Sequence, residues 1–188
     1  MRAVDPRNPT ADAPTTEDLR SAFRELHGQR LHGFALLLTL GNAPASARLT
    51  AVAIDAGTAQ VDELRHPERA AAWLRSRVAR AARKLGRGGT DGRDRLAALA
   101  GFGVDEAVLA GLAALHFWER VALIAASVER LDERDVATIV GTGGRKLDRL
   151  LHRARRRYVA AHGPVSIDQW ASGPVTDRIH AVASRAMQ

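Results

Sequence analysis

The stretch from Leu131 to Tyr158 restricts this chain more than any other. Val136, Ile139 and Val140 recur at helical spacing behind Asp132, whose carboxylate suits a helix N-cap. Gly141 follows the last of them, where a left-handed C-cap residue is favoured. A brief turn with Gly143 and Gly144 comes next, and a second helix is expected from about Gly144. Its Leu147, Leu150, Leu151, Ala154 and Tyr158 share one face, while Arg145, Lys146, Arg149, His152, Arg153 and Arg156 lie on the other sides. Helix, glycine-containing turn and basic helix form the helix-turn-helix pattern, whose second helix can enter a DNA major groove. A basic helix is also a common solvated face, so the pattern alone leaves both uses open. The glycines at 141, 143 and 144 do not make a phosphate loop, because the Walker spacing is missing and a helix rather than a strand precedes them.

Composition agrees with a small helical protein. Apolar residues make up 46% of the 188, which favours a globular chain, while aromatics are only 4%, so the core must be built from Leu, Ala and Val. The formal net charge is +7, and of the basic residues only Lys84 and Lys146 are lysines. That balance favours a polyanionic partner, although an arginine-rich genome gives the same excess. The absence of cysteine excludes disulfides and thiolate metal sites. No signal peptide is visible near Asp5, Pro6, Arg7 and Pro9, and the longest apolar run, Phe34 to Leu40, is too short to span a bilayer. The expectation is a soluble cytoplasmic protein that does not bind a membrane.

The fold class expected is all-α, with two small helical domains and a short tail. Residues 1–14 hold three prolines and read as a disordered arm. The first domain, 15–85, opens behind Thr15 or Thr16. Leu19, Phe23, Leu26, Arg30, Phe34 and Leu37 mark one side of its first helix. A second helical stretch from Ala43 to Leu64 has Leu49, Val52, Ala53 and Ala56 as apolar positions. Pro67 suits the first position of a third helix. That helix should bury Trp73, Leu74, Val78 and Ala81 and turn Arg75, Arg77, Arg80, Arg83 and Lys84 outward. Residues 86–93 read as a glycine-rich linker, 94–162 as the helix-turn-helix domain, and 163–188 as a C-terminal tail. Within the second domain, Asp105 should cap a helix through Leu115, and His116 should open another with Val121, Leu123, Ile124 and Val128 as core.

Chemistry of other kinds has little support. The seven histidines are scattered, and His27 and His32, five apart, do not share a helix face. There is no Gly-x-Ser-x-Gly elbow. Acidic residues read as surface charge paired with arginines. No catalytic residue, metal or cofactor is expected, and the chain does not read as an enzyme.

The segment from Leu115 to Arg157 resembles the fourth domain of extracytoplasmic-function (group four) sigma factors. Leu115, Glu119 and Arg120 fall on that family's first helix, and Leu131, Asp135, Val136, Ala137 and Gly141 on its second. Leu151, His152, Arg153, Ala154, Arg155 and Arg156 fall on the end of its recognition helix, the most specific part of the match. The first half is similar to the second sigma domain. Phe23-Arg24-Glu25-Leu26, Arg30-Leu31 and Phe34-Ala35-Leu36 match its first helix. Pro67-Glu68-Arg69, Ala72-Trp73-Leu74 and Val78-Ala79-Arg80 match its third.

The resemblance implies a transcription initiation factor that directs RNA polymerase to promoters. Promoter DNA and core RNA polymerase would be its partners, and an anti-sigma factor a further candidate. The DNA-contacting residues would be Arg145, Lys146, Arg149, His152, Arg153 and Arg156, with Arg77 and Arg80 on the third helix. Near the helix start Arg145 and Arg149 would read bases, and Arg153 and Arg156 would clamp phosphates. Arg48 to Ile54 stands where the family carries an acidic pattern that faces the polymerase, and Asp148-Arg149-Leu150 replaces Lys-Ser-Arg. These departures motivate a second expectation, a sigma-like regulatory or interaction protein that has lost core-polymerase binding. An unrelated helical binding module is the third.

Overall fold

Helix α1 (Thr16–Leu38) starts where the sequence offers a capping box. Thr15 Oγ1 accepts from the Asp18 amide at 3.2 Å, and Asp18 Oδ2 accepts from the Thr15 amide at 2.9 Å. This geometry comes from a computed structural model that describes residues 15–60, 67–85 and 92–162. Every regular element among the described residues is helical. Asn42 caps α2 (Ala43–Thr58), accepting from the Ala45 amide at 3.0 Å. Helix α3 (Pro67–Lys84) begins on Pro67, and α1, α2 and α3 pack on one another.

The second half begins with α4 (Gly92–Ala100), so residues 92 and 93 of the expected linker belong to a helix. Asp105 caps α5 (Glu106–Ala113), and α6 (Phe117–Leu123) starts behind His116. Helix α6 runs into a π-helical turn (Ile124–Val128), closed by the Glu129 amide on the Ile124 carbonyl at 3.0 Å. Then come α7 (Glu133–Val140) and α8 (Arg145–His162). The rest of the expected linker, 86–91, lies outside the described residues, as do the arm 1–14 and the tail 163–188.

The buried side chains form one connected cluster from Phe23 on α1 to Tyr158 on α8. The two halves meet chiefly where α7 lies on α3, and α1 also touches the π-helical turn and α4. Two arginines fasten that junction. Arg120 on α6 donates from Nε to the Leu112 carbonyl at 2.9 Å, from Nη1 to Leu38 at 3.0 Å and from Nη2 to Leu115 at 3.2 Å. Carbonyls in the last turn of a helix have no partner within it. One guanidinium therefore serves the C-terminal ends of α1 and α5 together.

The second fastening is Arg75 on α3, 5% exposed, which pairs with Glu129 just past the π-helical turn. Its Nη1 also donates to the Ala71 carbonyl at 3.0 Å, and its guanidinium lies 5.9 Å from the Phe34 ring centroid. Arg75 is thus not the outward-facing residue that the sequence suggests. Its partner lies 54 residues along the chain, beyond the reach of any helical periodicity. Burial pushes the Glu129 carboxyl up, and Arg75 opposes that shift.

Other expectations change with the packing. On α1 the buried stripe follows Phe23, His27, Leu31, Phe34 and Leu38 in steps of three and four. Leu26, 60% exposed, and Leu19 fall outside it. Past Gly33 every α1 side chain is buried, because α2, α3, α4 and the π-helical turn all pack on this helix. On α2 Leu49, Ala53 and Ile54 turn inward and Val52 is exposed. That helix ends at Thr58, and residues 61–66 of the longer stretch expected from sequence lie outside those described.

Two outcomes follow. Removing either Arg75 or Glu129 alone strands a buried charge, and urea denaturation should record a loss of roughly 3–5 kcal/mol. The double variant Arg75→Met/Glu129→Leu should recover most of it; equal losses in all three would contradict the pairing. His27 is buried beside Phe23, and burial first, then the Arg75 charge, lower its pKa below 6.5. Above pH 6.5 both states hold the ring neutral. Below it the unfolded chain takes the proton first, so stability falls with falling pH. His27→Gln should flatten that fall; an identical pH profile for the variant would remove His27 from the account.

Candidate nucleic-acid interface

Helix α7 ends as its sequence requires. Gly141 takes φ 78 and ψ 23, and its amide donates to the Ala137 carbonyl at 2.8 Å. Only a residue without a Cβ adopts this conformation at little cost. At the other end, Asp132 Oδ1 accepts from the Asp135 amide at 2.7 Å. The chain then turns through Thr142, Gly143 and Gly144 into α8. Helix α7 leans on α3 and α6, whereas α8 rests on α5 and α6. The two helices of the motif are thus held from different sides.

Helix α8 is anchored along one ridge. Leu147, Ala154 and Tyr158 are fully buried, and Leu150 and Leu151 are half-buried beside them. The Tyr158 ring lies so close to α5 that a Cβ on Gly111 would come within 2.6 Å of it. Burial and the Asp105 charge raise the Tyr158 pKa, so the phenol stays neutral. This contact lets an aromatic side chain seat the C-terminal part of α8 on a short helix.

The charged side chains off that ridge face solvent. Arg145, Lys146, Arg149, His152, Arg153 and Arg156 are all exposed, and so are Arg155 and Arg157. Thr142, Lys146, Arg149, Leu150 and Arg153 line a shallow groove of about 300 Å³. A second, of about 410 Å³, lies between Arg145, Asp148 and Arg149. Arg149 borders both, and its Nε donates back to the Arg145 carbonyl at 3.1 Å. His152 and Arg156 line neither groove.

Arg77 and Arg80 are exposed on α3, in the other half of the chain, and they too line neither groove. The Arg77 guanidinium lies 5.1 Å from the Trp73 ring centroid. The structure therefore gathers Arg145, Lys146, Arg149 and Arg153 along the first half of α8 and leaves the α3 arginines apart.

Two participants escape a reading of the sequence. Glu119, on α6, is 3% exposed, and its carboxylate faces Arg153 and Arg157 of α8. Glu119 and Glu129 are thus buried rather than surface acids. Thr142 lies in the turn and lines the first groove. Neither residue carries a local signal, since the groove forms only when the turn and helix are placed together.

No group of three or more His, Asp or Glu side chains among the described residues is placed to hold a metal ion. No helix among them is long and apolar enough to cross a membrane. No family model, curated protein or solved structure matches the chain.

The arrangement can do one thing plainly. It presents guanidinium and ammonium groups, near the N-terminal amides of α8, on the outer face of a helix packed on α5 and α6. Amides at such an end attract anions. Asp148, exposed in the first turn, opposes this. Two unit charges about 7 Å apart in water interact by about 0.6 kcal/mol, close to a threefold change in affinity. Asp148→Asn should therefore tighten binding to duplex DNA of arbitrary sequence about threefold per neighbouring phosphate. Unchanged affinity in a fluorescence-anisotropy titration would mean that the first turn of α8 does not face nucleic acid.

Proposed function

We propose that this protein binds duplex DNA through α8 and acts as a sigma-like transcription initiation factor, with promoter DNA as its partner. The exposed basic face of α8, held on α5 and α6 by one apolar ridge, carries the reading. A helix anchored on one side and charged on the other can enter a major groove without disturbing its own support. Arginine suits this role because its planar fork matches phosphate and guanine edges. In this reading Arg145 and Arg149 approach the bases, and Lys146, Arg153 and Arg156 meet phosphates. Recruitment to core RNA polymerase is the further step that the family resemblance implies.

One observation favours a second reading, a sigma-like regulator that does not engage the polymerase core. The outer face of α2 presents Arg48, Ala51 and Val52, all exposed, where the family carries acidic groups. Comigration with purified core polymerase separates the two readings.

DNA binding itself is tested by anisotropy over a range of salt concentrations. Wild-type protein should bind duplex with an affinity that falls steeply with salt, as counterion release requires. Lys146→Ala and Arg156→Ala should keep their helical content while the salt slope drops by about one for each lost phosphate contact. Absence of duplex binding at low salt would remove the reading altogether.

A further inference from the structure

We propose that Glu119 is a positioning residue that holds the Arg153 guanidinium at the wall of a seat for one DNA backbone phosphate. The seat is the groove bordered by Thr142, Lys146, Arg149 and Arg153. This deepens the DNA-binding reading and rests on it.

A carboxylate withdrawn from water is costly unless charge and hydrogen bonds compensate it. Glu119 is compensated unevenly. Its Oε2 accepts from the His116 amide at 3.2 Å and from Arg157 Nη1 at 3.0 Å. Its Oε1 lies 3.5 Å from Arg153 Nε. One carboxylate therefore faces two guanidiniums from α8, and one positive charge is left over.

The two arginines differ in what their remaining donors meet. Arg157 points a terminal nitrogen at the carboxylate and does not border the groove. Arg153 turns its Nε to Glu119. Because a guanidinium is planar and rigid, drawing Nε toward the carboxylate restricts where the rest of the fork can lie. Nε is the Arg153 nitrogen paired with the carboxylate, on a side chain 57% exposed that borders the groove with Lys146 and Arg149. Three cationic side chains, Thr142 and Leu150 then line one space of about 300 Å³. That set suits a phosphodiester oxyanion, which accepts from several donors at once.

Two roles for Glu119 predict opposite signs. If Glu119 merely adds negative charge near α8, Glu119→Gln raises the net charge by one and tightens DNA binding. If it positions Arg153, the same change frees the fork and weakens binding. The experiment is a double-mutant cycle on the full chain, with anisotropy on a duplex of arbitrary sequence across a salt series. Arg153→Ala should lower the salt slope by about one. Glu119→Gln should shift affinity and slope in the same direction, and in the Arg153→Ala background it should produce no further loss. Arg153→Lys keeps the charge but lacks the fork, and should lose nearly as much as Arg153→Ala. This variant leaves Glu119 in place and decides the matter if Glu119→Gln does not fold.

Tighter or unchanged binding by Glu119→Gln, additive losses in the cycle, or full affinity in Arg153→Lys would each overturn the positioning role while DNA binding stands. A wild-type protein that binds no duplex at low salt overturns both.

Discussion

Arg75 and Glu129 leave water together, and the contact between the two halves depends on their doing so. Helix α3 brings the guanidinium, and the chain just past the π-helical turn brings the carboxylate. Each would be expensive to bury alone. The π-helical geometry matters because an extra residue in the turn changes where the following side chains point. Residue 129 is thereby placed on α3, and α7, which starts four residues later, lies along the same helix. Helix α7 is thus braced by the opposite half of the chain and not only by its own neighbours.

Helix α6 is the point where both halves and the basic helix are tied together. It is only seven residues long, yet two adjacent side chains leave it in different directions. Arg120 gathers carbonyls from the ends of α1 and α5. Glu119 faces the arginines of α8. A displacement of α1 or α5 would be felt at α6 through three hydrogen bonds, and at α8 through an ion-pair cluster. Neighbouring residues on a helix point about 100° apart, which is why one short segment can serve two partners. Contacts of this kind rest on geometry rather than area, so small substitutions at 119 or 120 matter more than their size suggests.

The exposed charge has a corresponding logic. The chain carries a formal charge of +7, but its arginines do several jobs. Arg75 and Arg120 are structural, Arg157 pairs with Glu119, and Arg77 lies against Trp73. The positive groups that line common grooves lie along the first half of α8. Net charge therefore states that an anion is favoured, and the helix decides where it would sit.

Local signals were enough for much of this. Thr15 or Thr16, Asp105 and Asp132 announce helix starts, Gly141 a left-handed end, and the spacing of Leu147, Ala154 and Tyr158 the buried ridge of α8. Each depends on interactions within a few residues, and short-range hydrogen bonding and helical periodicity are written directly in sequence. The burial of Arg75, Glu119 and Glu129 and the exposure of Leu26 and Val52 were not legible in this way. Those outcomes depend on which helix lies opposite, and the partners are 54 residues apart for Arg75 and 38 for Glu119 with Arg157. The sequence by itself determined that the chain is helical, where most helices begin, and that one helix is basic on its outer side. Only the tertiary structure decided which charges are buried as pairs and which remain exposed, because desolvation and pairing are set by the neighbours that packing supplies.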